Sequence, residues 1–185
     1  VRAAVQVLAM DDAIPDRILR LAEAHLFAAA GPMTSEALAG VLADAGGWQL
    51  DTGRLLRALV ERHAGRGFEL VQVAGGWQFR TAVDLAEALR PRHQAAEGPA
   101  RRLPRAAMEA LVLIAYRQPV TRPEMEGLLG HSVSQPGLDL LLEAGLIRHL
   151  GRKDVPGRPM LWGTTLHFLA MFGLRDLTDL PGFGT

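Results

Sequence analysis

Residue types able to do chemistry are few along this chain and lie apart from one another. The six histidines are scattered. His131 precedes Ser132 and Ser134, which sets a base beside two hydroxyls, but no acid lies near it in sequence to orient the ring. The plainer reading is a polar loop ahead of a helix. His167 has no carboxylate or second imidazole at helical spacing, so it builds no metal site. His25 lies between apolar neighbours, as a histidine at the edge of a core does. There is no Walker-type phosphate loop, no His-Glu-x-x-His pair and no Gly-x-Ser-x-Gly turn. The residues therefore offer no catalytic set, no metal ligands and no cofactor site, and the chain reads as something other than an enzyme.

What remains is the chemistry of charge. Arg148, His149, Arg152, Lys153 and Arg158 crowd one stretch, with Asp154 among them. Such a cluster can meet backbone phosphates; equally, Asp154 can pair with Arg152 or Arg158 and fix a turn. A second cluster, Arg54, Arg57 and Arg62, has Asp51 and Glu61 within pairing reach along a helix. The formal net charge is zero, and the halves either side of Arg90 carry −2 and +2. A chain whose main task is gripping phosphate carries a clear positive excess. At most a weak, salt-sensitive and sequence-blind contact with DNA is expected.

The elements that must position these residues follow from periodicity and punctuation. Asp16 to Ala30 is apolar at Ile18, Leu19, Ala22, Leu26 and Ala29, which is helical spacing, and Gly31-Pro32 ends it. Thr34 caps a second helix, and Asp51 or Thr52 a third with a stripe at Leu55, Leu56, Leu59 and Val60. Phe68 to Val73 and Trp77 to Phe79 flank Ala74-Gly75-Gly76 as a hairpin. A short helix over Val83 to Leu89 closes the unit. The same order then recurs. Pro104 opens a helix that Gln118-Pro119 breaks, Thr121 caps the next, and a third runs from about Gly137 to Ala144. Leu146-Ile147 and Met160-Leu161-Trp162 form a hairpin around Gly151 to Pro159, and Thr164 or Thr165 caps a last helix through Phe172. Pro32-Met33-Thr34 matches Pro119-Val120-Thr121, and Phe79-Arg80-Thr81 matches Trp162-Gly163-Thr164.

This is helix, helix, helix, two-stranded wing, helix, written twice. The fold class is mainly α with small β-wings (α+β), as tandem winged-helix domains. The predicted boundaries are an N-terminal extension over 1–15, a first winged-helix domain over 16–90, a linker over 91–103, a second domain over 104–173 and a tail over 174–185. The linker holds Pro91, Gly98 and Pro99 among arginines and reads as a solvated linker in preference to a phosphate-binding strap. Trp77, Phe79 and Trp162 are expected to anchor the wings to their cores; Trp48, ahead of the third helix, is a candidate interface aromatic.

Composition agrees. Apolar residues make up 49% of the chain, enough for a core, and aromatics only 5%. Alanine and leucine dominate, which favours helix. The absence of cysteine excludes disulfide scaffolds. No apolar run reaches the length of a membrane span and no signal peptide is evident, so no membrane partner is expected. The third helix of the second copy has Asp139 and Glu143 and no arginine or lysine, which makes it a poor reader of DNA.

Three blocks carry a resemblance. Ile114 to Arg122, then Leu141-Leu142-Glu143 with Gly145-Leu146-Ile147, then Gly151-Arg152-Lys153-Asp154-Val155-Pro156-Gly157-Arg158-Pro159, stand in the order and wording of the ScpB family, segregation and condensation protein B. Ala24 to Ala29, with Pro32 and Leu38, extends the likeness to the first copy. The chain departs from the family pattern at His131 to Pro136, which is one residue longer, and at Asp139, where a basic residue is common. The resemblance implies a non-enzymatic subunit of the bacterial SMC complex. Such a subunit dimerises, chiefly through the first winged helix, and grips an ScpA-like kleisin, and through it the SMC ATPase. It implies a cytoplasmic, nucleoid-associated protein that supports chromosome condensation and segregation. It makes Arg152, Lys153, Asp154, Pro156, Gly157, Arg158 and Pro159 the candidate partner-binding residues. The alternative function is a winged-helix transcription regulator.

Overall fold

The computed structural model describes residues 6–7, 13–46, 48–49, 51–96 and 103–182. Its contacts divide into two units, Val1–Ala96 and Glu97–Thr185, and each is mainly helical with a small β-wing.

In unit 1, helix α1 (Asp16–Ala28) buries Ile18, Ala22 and Leu26, the stripe its periodicity predicts. Thr34 Oγ1 accepts from Ala37 N at 3.1 Å and starts α2 (Ser35–Gly46). Asp51 caps α3 (Thr52–His63) by accepting from the amides of Gly53 and Arg54, which satisfies donors that the first helical turn leaves orphaned. Leu38, Leu42, Leu55, Leu56 and Leu59 join the α1 stripe in one core. Glycines 65 and 67 release the chain into the strands Phe68–Val73 and Gly76–Thr81, which form an antiparallel hairpin.

Two features differ from the sequence expectation. The closing helix, Val83–Ala96, runs through Pro91 well beyond Leu89; the alanines and glutamine after Pro91 are helix formers that keep the backbone helical. Of the remaining predicted linker residues, 97–102 lie outside the described residues. Trp48 is not loop: with Gln49 it pairs in parallel with Gln6-Val7 of the predicted extension. In chain order the strands of unit 1 are thus β1 (Gln6–Val7), β2 (Trp48–Gln49), β3 (Phe68–Val73) and β4 (Gly76–Thr81), with α4 (Val83–Ala96) after them.

Unit 2 repeats the plan. Helix α5 (Arg105–Arg117) buries Ala107, Ala110, Leu111, Ile114 and Ala115. Strand β5 (Val120–Thr121) leads into α6 (Arg122–Leu129), whose capping box joins Thr121 and Glu124. Helix α7 (Gln135–Glu143) starts two residues earlier than predicted, because Ser134 Oγ accepts from Gly137 N at 3.2 Å and Pro136 tolerates the first turn. Strands β6 (Ile147–Arg152) and β7 (Met160–Thr164) complete a three-stranded sheet of order β5-β7-β6. A bulge at Leu150 lies between the pairs His149–Trp162 and Gly151–Leu161. The Leu150 side chain packs over Gly163, where an added Cβ would sit 2.5 Å from it and would displace the Leu150 and Gln118 side chains. Thr165 caps α8 (Leu166–Phe172), and the chain continues into a single 3-10 turn, Leu177–Asp179.

The match between the copies holds when counted from the last helix of each. Ala82 N donates to Gly67 O in unit 1 as Thr165 N donates to Leu146 O in unit 2, which puts Phe79 opposite Trp162. The third strand lands differently. Val120 pairs with Trp162, but Met33 pairs with Trp77, two residues further from the helix.

Candidate functional site

The wing of unit 2 holds all seven candidate partner-binding residues. Its tip is fixed by backbone: Lys153 N donates to Pro159 O at 2.9 Å and Arg158 N to Val155 O at 2.8 Å. Gly157 takes a left-handed φ of 84°, and Arg158 follows at 39°. The expected pairing of Asp154 with Arg152 or Arg158 does not form; among the described residues Asp154 makes no ion pair. Arg152 Nη1 instead donates to Arg158 O at 3.1 Å and closes the tip through a carbonyl. Lys153 turns the other way and forms an ion pair with Glu124 of α6. The tip therefore presents Arg152, Asp154, Pro156 and Arg158 to solvent, while Lys153 is half-buried and committed within the unit.

The wing anchors differ in depth. Trp162 is buried and stacks on His149 with centroids 4.4 Å apart. Trp77 and Phe79 are half-buried and pack against the unit 1 core.

The helices in the position of a DNA reader have no free basic face. Helix α7 buries Leu138 and Leu141 and exposes Asp139 and Glu143. On α3, Arg57 lies 3.9 Å from Asp51, one of the two acids expected to pair with this arginine cluster, whereas Arg62 reaches Asp16 at 2.7 Å and Glu23 at 2.9 Å on α1. These acids raise the Arg62 pKa above its ordinary value, the Asp16 hydrogen bond most of all.

His131 has an acid that its sequence neighbours did not reveal: Glu109 Oε2 lies 3.4 Å from its Nε2. Ser134 is occupied as the α7 cap, so no base-hydroxyl pair forms. His63 gave no signal in the sequence. It is buried, with Nε2 3.0 Å from Glu23 Oε1 and no partner for Nδ1 among the described residues. Its ring sits 5.0 Å from Phe68 and 4.8 Å from Phe79, centroid to centroid. No group of three or more His, Asp or Glu that could hold a metal occurs among the described residues. None of their helices is long and apolar enough to cross a membrane.

Sequence reasoning also missed an apolar groove of about 400 Å³ in unit 2, between α5 and α8. Met108, Val112 and Tyr116 line one wall, and Phe168 and Phe172 the other. The tail crosses one end, held where Tyr116 Oη donates to Pro181 O at 2.5 Å and Arg175 pairs with Asp179. That pairing, led by the side-chain hydrogen bonds from Arg175, holds the Asp179 carboxyl down to about 2. The apolar residues of α5 and α8 read as core from periodicity alone, and only their packing shows that one side is left uncovered.

Residues 20–183 match the family described as "Segregation and condensation complex subunit ScpB". This chain belongs to the ScpB family. It is 48% identical over 165 residues to "Segregation and condensation protein B" of Syntrophotalea carbinolica, covering 86% of this chain and 78% of that one. The protein of the same name from Moorella thermoacetica is 44% identical over 172 residues, covering 90% and 83%. The crystal structure of ScpB from Mycobacterium tuberculosis is 28% identical and covers 88% of this chain and 99% of that one, with a TM-score of 0.38. Family membership accounts for the three sequence blocks together. In this ScpB chain the block around Gln118, the block around Glu143 and the wing block all fall in unit 2.

Proposed function

We propose that this chain is the non-enzymatic ScpB subunit of a bacterial SMC–ScpA–ScpB condensin complex. It forms a homodimer chiefly through unit 1, and the dimer holds an ScpA-like kleisin that links it to the SMC ATPase. It acts in the cytoplasm on the nucleoid, and supports chromosome condensation and segregation. ATP hydrolysis belongs to the SMC subunit.

The observation that carries this reading is the contrast within unit 2. The helix in the DNA-reading position exposes carboxylates, whereas α5 and α8 leave an open apolar groove of about 400 Å³. Exposed carboxylates repel phosphate, and an uncovered apolar groove gains from an amphipathic peptide. Arg152 and Arg158 are the exposed cations at the wing tip, with Asp154 exposed between them. Lys153 is assigned to holding the wing.

The test is affinity capture of the tagged chain from its own cell extract after nuclease treatment, with mass spectrometry of what co-purifies. A kleisin and an SMC ATPase are expected. Their absence, with retention of particular DNA fragments in an untreated extract, would replace this reading with a transcription regulator.

A further inference from the structure

The two units share one local construction, offset by the register of Met33, and differ at the residue two places before the paired one. In unit 2, Val120 pairs with Trp162. Two places beyond that pair, the Gln118 side chain plugs the edge of β7: its Oε1 accepts from Thr164 N at 2.8 Å, and its Nε2 donates to Thr164 Oγ1 at 2.9 Å. In unit 1, Met33 and Trp77 exchange both backbone hydrogen bonds, at 2.9 and 2.8 Å. The residue two places before Met33 is Gly31, and the residue two places after Trp77 is Phe79. Gly31 has no side chain, so the plug is missing.

An antiparallel ladder turns alternate residues to opposite edges. Trp77 faces Met33, so Phe79 and Thr81 present their N–H and C=O on that same edge, away from β3. Among the described residues neither finds a hydrogen-bond partner there. The edge lines a groove of about 390 Å³. Consecutive residues Gln78–Thr81 form one side and Ala29–Gly31 the other; Leu26, Phe27 and Phe68 add apolar surface. Phe27 is 81% exposed.

We infer that this groove is a strand-addition site. An extended segment of a partner protein lies beside Met33, pairs its main chain with Phe79 and Thr81, and sets an apolar side chain against Leu26, Phe27 and Phe68. The open groups identify the occupant's chemistry. Donor and acceptor recur at every second residue, and a polypeptide backbone offers both at that spacing. A nucleic-acid backbone brings phosphate acceptors and leaves the carbonyls unserved. The chain's own Gln6-Val7 is already paired with Trp48-Gln49. The kleisin is the partner assigned, and that assignment rests on the function proposed above.

Gly31→Gln tests the site by giving unit 1 the plug of unit 2. Nothing lies within 4 Å of a Cβ at Gly31, and its φ is not left-handed, so the variant is expected to fold as the parent does. Binding of the purified kleisin to the full chain is measured together with amide hydrogen exchange. Gly31→Gln is expected to weaken binding about tenfold or more, the worth of one blocked backbone hydrogen bond, while Gly31→Ala leaves it unchanged. Phe79 and Thr81 amides exchange fast in the free parent and slow down when kleisin is bound, a reading that needs no variant. Kleisin binding that ignores Gly31→Gln and leaves both amides fast would remove the site and leave the kleisin reading intact. No kleisin binding by the parent would remove that reading and this occupant together. Protection that rises with protein concentration alone would give the groove to a second copy and overturn the inference.

Discussion

Lys153, the only lysine in the chain, reaches from the wing to Glu124 on the first turn of α6. Glu124 is also the capping-box carboxylate: its Oε2 accepts from Thr121 N at 2.8 Å and from Thr121 Oγ1 at 2.7 Å. One side chain thus starts a helix and straps a wing. The Lys153 ammonium, followed by the Thr121 donors, holds its carboxyl down from 4.5 to about 2.

Glu124→Gln keeps the shape and removes the charge. Because both side chains are only about half-buried, solvent screening holds the expected loss to about 1 kcal/mol at neutral pH. The folded pKa lies below the unfolded one, so the carboxylate's contribution is full above 4.5 and fades as pH falls toward about 2. Urea unfolding of parent and variant from neutral pH downward is expected to show a gap that closes over that window. A gap that stays constant would place the effect outside the ionised carboxylate.

His63 fills space between Phe68 and Phe79 while sharing Glu23 with Arg62. His63→Ala leaves a cavity in that aromatic cluster and is expected to cost about 2–4 kcal/mol. Glu23→Ala removes hydrogen bonds at a less buried position and is expected to cost about 1–2 kcal/mol. Denaturant midpoints rank the two. A larger loss from Glu23→Ala would make the ion pairs, and not the packing, the main support of the α1–α3 contact.

What could be read from the sequence was local. Thr34, Asp51, Thr121 and Thr165 announce helix starts because a cap acts over three residues. The glycines and prolines announce turns because they act on their own dihedrals. Pairings across the chain were not legible. Lys153 finds Glu124 at a separation of 29 residues and His63 finds Glu23 at 40, and neither spacing leaves a periodic trace. The same holds for the candidate site. The wing block could be named from its residues, but which of its cations stay free depends on Glu124, a helix away. The apolar groove depends on Val112 and Phe172 being left uncovered, which a hydrophobic stripe does not distinguish from core.

The wing residues separate into two roles. Arg152→Glu with Arg158→Glu alters the exposed tip and is expected to keep the solution mass of the parent, the proposed dimer, and to move the thermal midpoint by no more than about 2 °C. Kleisin capture by that double variant is expected to fall. Lys153→Glu places two carboxylates together and is expected to lower the thermal midpoint more than the double variant does. Unaltered capture by the double variant would take the wing tip out of the interface.

The groove between α5 and α8 makes the sharpest demand on the proposed function. Val112 is 40% exposed on its wall, so a carboxylate there stays hydrated in the free chain, and Val112→Glu is expected to leave the thermal midpoint nearly unchanged. Once an apolar peptide covers the groove, the same carboxylate loses its water with no cation at hand, a penalty of several kcal/mol. Kleisin affinity measured by calorimetry is therefore expected to fall by about a hundredfold or more. Tyr116→Phe removes the bond to Pro181 and keeps the wall apolar; it separates the tail from the groove. If Val112→Glu binds kleisin as the parent does, the groove is not where the partner sits, and the contrast between α7 and the α5–α8 face no longer supports the assignment.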